Sequence, residues 1–210
     1  MKALMPNTRL EAFCDGVFAI ALTLLVIDIK IPETEEINST TALWAELRHI
    51  TPSVFAFLLS FGVIFITWVN HHNHLKLIHG SCGSFLYANG FILLTVVFIP
   101  FPTSLLGEYL FTNHAVPAVV LYDGVLALQA IGWILISFTA YKNKLGVSEK
   151  ASQNIRKNGK DGIVAFVLYL GCSILAFWYP VTIAVFTTLT WIFWLIWGIH
   201  IKYEEIVVEN

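Results

Sequence analysis

The residues with most chemistry in this chain are polar groups set into membrane-length apolar runs. Asp15 lies inside the stretch from Arg9 to Pro32, RLEAFCDGVFAIALTLLVIDIKIP, and an intramembrane carboxylate is a functional-site hypothesis by default because its cost in lipid demands a partner. At 100° per residue Ile20, Leu24, Ile27 and Ile31 fall within about 40° of one line, Thr23 lies about 60° to its side and Asp15 about 140° from Ile20. One face of this segment can therefore line something narrow and apolar, while another presents a carboxylate to neighbouring helices.

The second apolar segment ends in Trp68-Val-Asn-His71-His72-Asn-His74, with His79 beyond. A metal centre built from histidine boxes needs several such clusters on different helices; His49, His114 and His200 are scattered, so that reading is rejected. Trp68 and His71, at i and i+3, share a helix face and can present N–H donors to a neighbour, whereas His72, His74 and His79 are expected to reach water. Asn89 lies about 8 Å into the third segment at 1.5 Å per residue. Antiparallel threading puts Asp15, Trp68, His71 and Asn89 in roughly one layer, where they can satisfy one another. In the fourth segment Asp123 is expected to be a packed, locally bonded residue rather than a second functional acid.

These groups need helices to carry them. The chain has 210 residues, 57% hydrophobic and 12% charged, with mean hydropathy +0.74, far from the roughly 25% charge of soluble domains. It reads as an all-α integral membrane protein, one domain over 1–210, with no separate soluble part. Six apolar segments stand near 10–31, 50–75, 84–106, 116–141, 162–179 and 181–201, the third closing on a kink at Pro100-Phe-Pro102. The first is too long for a cleaved leader and lacks a small-residue cleavage site. Ten of the twelve Lys and Arg residues fall on one side of this layout and only Lys30 and Arg48 on the other, so both termini are expected in the cytoplasm. The 142–160 connection reads as a basic cytoplasmic linker suited to anionic headgroups.

On the opposite side Asp28, Glu33, Glu35 and Glu36 make the mouth acidic: a solvated loop, or a cation-concentrating vestibule if repeated around a symmetry axis. A net charge of −2 gives no nucleic-acid footprint. Cys14, Cys82 and Cys172 lie far apart without a C-x-x-C pattern and read as buried thiols, with neither disulfide framework nor zinc site.

Arg9-x-x-x-Phe13-Cys14-Asp15-Gly16 resembles the R-x-x-x-F-S-D-G signature of the transmembrane protein 175 family, the lysosomal potassium channels and their prokaryotic homologues, and the likeness continues through VFAIALTLLVIDI. It departs at Cys14, where the family usually has Ser. The resemblance implies a potassium-permeable cation leak channel of the prokaryotic plasma membrane: a homotetramer of six-helix subunits whose first helix lines a central pore. It further implies that Ile20 holds the principal hydrophobic-gate position and Thr23 the threonine linked to selectivity, with Leu24 and Ile27 as further constrictions. Arg9, Phe13, Cys14, Asp15, Trp68, His71 and Asn89 then form the intramembrane polar network. The resemblance implies potassium as the permeating ion; no cofactor and no metal are expected, and the expected partners are the protein's own copies, the bilayer and monovalent cations.

The chain carries no T-V-G-Y-G filter loop and no arginine series at three-residue spacing, which argues for a leak conductance without a voltage sensor. A secondary cation or proton transporter remains the alternative, although no Gly/Pro-interrupted pair of segments occupies corresponding halves. A membrane enzyme is less favoured still, since only the Asp15, His71 and Asn89 layer resembles a catalytic constellation.

Overall fold

The computed structural model describes residues 6–30 and 37–200. Its elements are α1 (Thr8–Leu24), a 3-10 turn (Leu25–Asp28), α2 (Thr40–His49), α3 (Thr51–Lys76), α4 (Gly83–Phe98), α5 (Pro100–Tyr109), α6 (Ala115–Lys142), α7 (Glu149–Leu175) and α8 (Pro180–His200). Five stretches are long and apolar enough to cross a bilayer: Thr8–Ile27, Thr51–Lys76, Gly83–Tyr109, Ala115–Lys142 and Glu149–Leu175. α8 is apolar over Pro180–Trp194. Helices are the form that apolar sequence takes when the backbone must satisfy its own polar groups.

Pro100 ends α4 and opens α5, since its ring cannot continue the hydrogen-bond ladder. Ile99 N–H closes the α4 end on Val96 O at 3.2 Å, and Thr103 N–H reaches back to Ile99 O at 3.1 Å. The amides of Ile99 and Thr103 are thus both bonded across the break in this one membrane crossing.

α6 is the hub, packing against α4, α5, α7 and α8, while α1 lies against α3 and α4. Small residues allow the close approaches. A Cβ added at Gly132 would lie 2.9 Å from the Ile92 Cβ, and one at Gly107 would lie 2.9 Å from the Ser53 Cα, so both glycines are places where helix backbones nearly touch. Without water to drive association in lipid, such contacts carry much of the packing energy.

The α3–α4 and α6–α7 turns meet on one side. His79 N–H donates to Leu145 O and Val147 N–H to Leu77 O, each at 3.0 Å, forming a single antiparallel bridge between Ile78 and Gly146. Asn7, just before α1, adds its Nδ2 to Ile78 O at 2.8 Å. The start of α1 therefore shares this lysine-rich side with both turns.

Two connections differ from the sequence expectation. The 142–160 linker is helical from Glu149 onward: Ser148 accepts from Ala151 N at 3.1 Å as N-cap, and Ala151 and Ile155 are buried among Leu75, Leu77, Ala140 and Leu145. Its polar composition conceals a helix whose single buried stripe packs on the turn cluster rather than on lipid. The connection after α1 holds α2, whose Leu43, Trp44 and Leu47 are exposed, a stripe suited to a bilayer interface. Ser39 caps α2 by accepting from Ala42 N at 3.1 Å, and removing such a cap costs about 1 kcal/mol. Ser39→Ala should therefore speed amide exchange across 40–49 and leave α3 unchanged. Equal protection in both proteins would show that the cap does not hold α2.

Candidate functional site

The first helix has two sharply different faces. Cys14, Phe18, Ala21 and Leu25, spaced four, three and four apart, are buried in the subunit core. Opposite them Ile20 is 57%, Leu24 40% and Ile27 70% exposed. Phe13, exposed as well, extends this stripe by one heptad, since steps of seven residues drift only about 20° on a straight helix. Thr23 is exposed beside it, and its hydroxyl donates to Ile20 O at 2.8 Å. That bond uses the hydroxyl proton and leaves the oxygen's electron pairs for an acceptor's role, the character a cation requires.

Beyond Leu24 the α-helix tightens into the 3-10 turn, whose end is closed by Ile29 N–H on Val26 O at 3.2 Å. The tighter winding changes the face presented by Ile27 relative to a continuous α-helix. The Asp28 side chain and Glu33, Glu35 and Glu36, read from the sequence as a vestibule, lie outside the described residues, as does Ile31.

The polar layer resolves into two bonded pairs. Trp68 Nε1 on α3 donates to Asp15 Oδ1 on α1 at 2.8 Å. His71 Nε2, one turn further along α3, lies 2.8 Å from Asn89 Oδ1 on α4. Asn89 Nδ2 donates to Phe85 O at 2.8 Å, which fixes the amide's orientation, so Oδ1 accepts and the His71 Nε2–H donates. The Phe18 ring of α1 packs against His71, with ring centroids 5.5 Å apart. Asp15 is exposed whereas His71 and Asn89 are buried. Arg9 is exposed at the helix start, Phe13 points outward and Cys14 inward.

Because Asp15 is exposed on the subunit surface whereas His71 and Asn89 are buried, the Trp68 bond is the cheaper pair to break. Trp68→Phe removes the donor while keeping an aromatic body, and should cost about 1 kcal/mol, the ordinary net value of one hydrogen bond. A thermal shift of purified protein reads this; a melting temperature equal to wild type would remove Trp68 from the interactions that hold α1.

Several buried polar contacts were not visible in the sequence. His74, expected to reach water, is fully buried: Asn158 Nδ2 on α7 donates to its Nδ1 at 3.2 Å, and the Trp133 ring packs on its edge. Asp123 is buried too, and its partner is remote rather than local, Thr187 on α8, which donates to Oδ1 at 2.8 Å. Ser60 joins Thr103 and Tyr122 across α3, α5 and α6. Each partner lies far away in sequence, so no local pattern could announce the pair. All three cysteines are free and buried.

Residues 9–100 match the family model described as the endosomal/lysosomal potassium channel TMEM175. A potassium channel of Chamaesiphon minutus is 39% identical over 178 residues, 82% of this chain and 87% of the relative. A solved structure from that organism, a lysosomal potassium-selective channel TMEM175 homolog, superposes with TM-score 0.78 at 34% identity, covering 91% of this chain and 97% of the other. The human endosomal/lysosomal proton channel TMEM175 matches at 36% identity over 74 residues, 33% of this chain and 15% of its own length.

Proposed function

The chain belongs to the TMEM175 family, and on that premise we propose that it is a potassium-permeable cation leak channel, not an enzyme, with its pore lined by α1. The observation that carries this reading is the two-faced first helix: the side opposite the core leaves Ile20, Leu24 and Ile27 uncovered within the subunit. Other helices also expose apolar residues, as lipid contact requires. What distinguishes α1 is that its exposed stripe directly follows the signature Arg9-x-x-x-Phe13-Cys14-Asp15-Gly16, inside the region matched by the family model.

One subunit with one such stripe cannot enclose a path. Four copies around a symmetry axis, each with six spans and cytoplasmic termini, bring four α1 helices together, and a closed ring is the ordinary result of heterologous contacts. The ten-to-two sorting of cationic residues supports the orientation. Mass measurement in mild detergent tests the assembly; a stable monomer or dimer that conducts would overturn it.

In such a ring Ile20, Leu24 and Ile27 form successive apolar constrictions of the plasma-membrane channel. A narrow apolar ring excludes water and blocks ions by dehydration, and modest widening admits both. Thr23 supplies oxygens beside the Ile20 level, while Asp28, Glu33, Glu35 and Glu36 enrich cations above it. The Asp15–Trp68 bond ties α1 to α3, and the His71–Asn89 bond locks α3 to α4 behind it.

Thr23→Ala should alter the potassium/sodium preference without abolishing current, because it removes one oxygen per subunit from the path while leaving the apolar rings. Reversal potentials under bi-ionic conditions measure this. An unchanged reversal potential would assign Thr23 only its backbone bond to Ile20. Proton conduction, the property in the human relative's name, is a second reading here; proton-gradient-driven flux in the same liposomes separates it from potassium conduction.

A further inference from the structure

Away from α1, a cavity of about 110 Å³ opens between α3, α6, α7 and α8. We propose that it is a binding site for a small, flat, uncharged organic molecule bearing one hydrogen-bond acceptor. Trp133, Tyr169, Trp191 and Trp194 contribute aromatic walls, and the small residues Ala130 and Ala165 leave the space between them unfilled. Tyr169 and Trp191 stack with ring centroids 6.0 Å apart and planes inclined by 13°. Trp194 Nε1 donates to Tyr169 OH at 3.1 Å, so this wall is held before any ligand arrives.

Two residues of the lining carry donors that no described residue uses. Gln129 is 3% and Trp191 9% exposed, and the Gln129 Nε2 and Trp191 Nε1 atoms have no hydrogen-bond partner among the described residues. Buried N–H groups without acceptors are costly, and a ligand that supplies one recovers that cost. Asp161, half-buried on the same lining, opposes phosphate or carboxylate ligands. Aromatic walls favour a flat apolar body, and a few polar groups in a largely apolar pocket are what orient a small ligand. A carbonyl on an aromatic ring meets all three conditions: shape, an acceptor for the amide or indole N–H, and no negative charge. None of these groups belongs to α1, so the site is separate from the proposed ion path.

The test uses 4-fluoroacetophenone with the purified full chain in lipid nanodiscs, read by 19F NMR. Saturable binding is expected, displaced by unlabelled acetophenone. Gln129→Leu, which keeps the bulk and removes the donors, should weaken it about tenfold, the worth of one hydrogen bond, and 4-fluoroethylbenzene, which lacks the carbonyl, should be weaker by a similar factor. Ala165→Phe should fill the space and abolish the saturable component. Non-saturable partitioning alone, or saturable binding untouched by Ala165→Phe, would overturn the proposal. Equal affinity of the two probes would overturn the role of the acceptor.

Discussion

Ile20→Asn is expected to raise potassium flux through liposome-reconstituted protein by roughly tenfold, the gain from lowering a dehydration barrier by about 1.4 kcal/mol. Ile20 sits in the middle of the exposed stripe of α1, and in a ring its branched side chain would hold the narrowest apolar level. An amide there offers both donors and acceptors to water. The constriction would stay wet, and ions would cross it with part of their hydration replaced. The substitution should cost little stability, because Ile20 makes no contribution to the buried core on the opposite face. Flux unchanged in a well-folded Ile20→Asn protein, with a comparable substitution on another span raising it, would move the pore away from α1.

Asn89→Leu is expected to destabilise the protein by about 1–3 kcal/mol, because it strands the His71 Nε2–H in a buried site. Both residues are buried and 2.8 Å apart, so water cannot replace the lost acceptor. Replacing both partners tests this reading against simple loss of packing. The double variant His71→Phe, Asn89→Leu should be less destabilised than the sum of the singles, since no orphaned donor remains. Additive losses in thermal unfolding would mean that the pair is not energetically coupled.

These two residues also show what the sequence made legible. Trp68 and His71 at i and i+3, with Asp15 and Asn89 at matching depths, could be placed in one layer from helix rise alone. Their division into two bonded pairs could not, because rotation about each helix axis is set by tertiary packing that no local pattern announces. Hydropathy located the long helices and the break at Pro100 for the same reason: apolar length and a missing backbone donor are local properties. The helical start of α7 was hidden because its first turns are polar and its buried residues, Ala151 and Ile155, answer to the turn cluster. His74 and Asp123 were misjudged in surroundings, since their partners Asn158 and Thr187 lie 84 and 64 residues away. The proposal that Ile20 faces a pore rests on family resemblance, because an exposed apolar stripe has the same appearance whether lipid or a pore lies beside it.

The claim that α1 lines the conduction path is tested most directly by single-channel recording of an Ile20→Cys protein before and after a charged methanethiosulfonate reagent. The native cysteines, Cys14, Cys82 and Cys172, are buried, so the introduced thiol is the accessible one, and intact mass verifies that it has reacted. The account predicts that modification changes or abolishes the potassium current of Ile20→Cys while leaving wild type unaffected. Full, unaltered current through a protein whose mass shows the thiol modified in every subunit would contradict it.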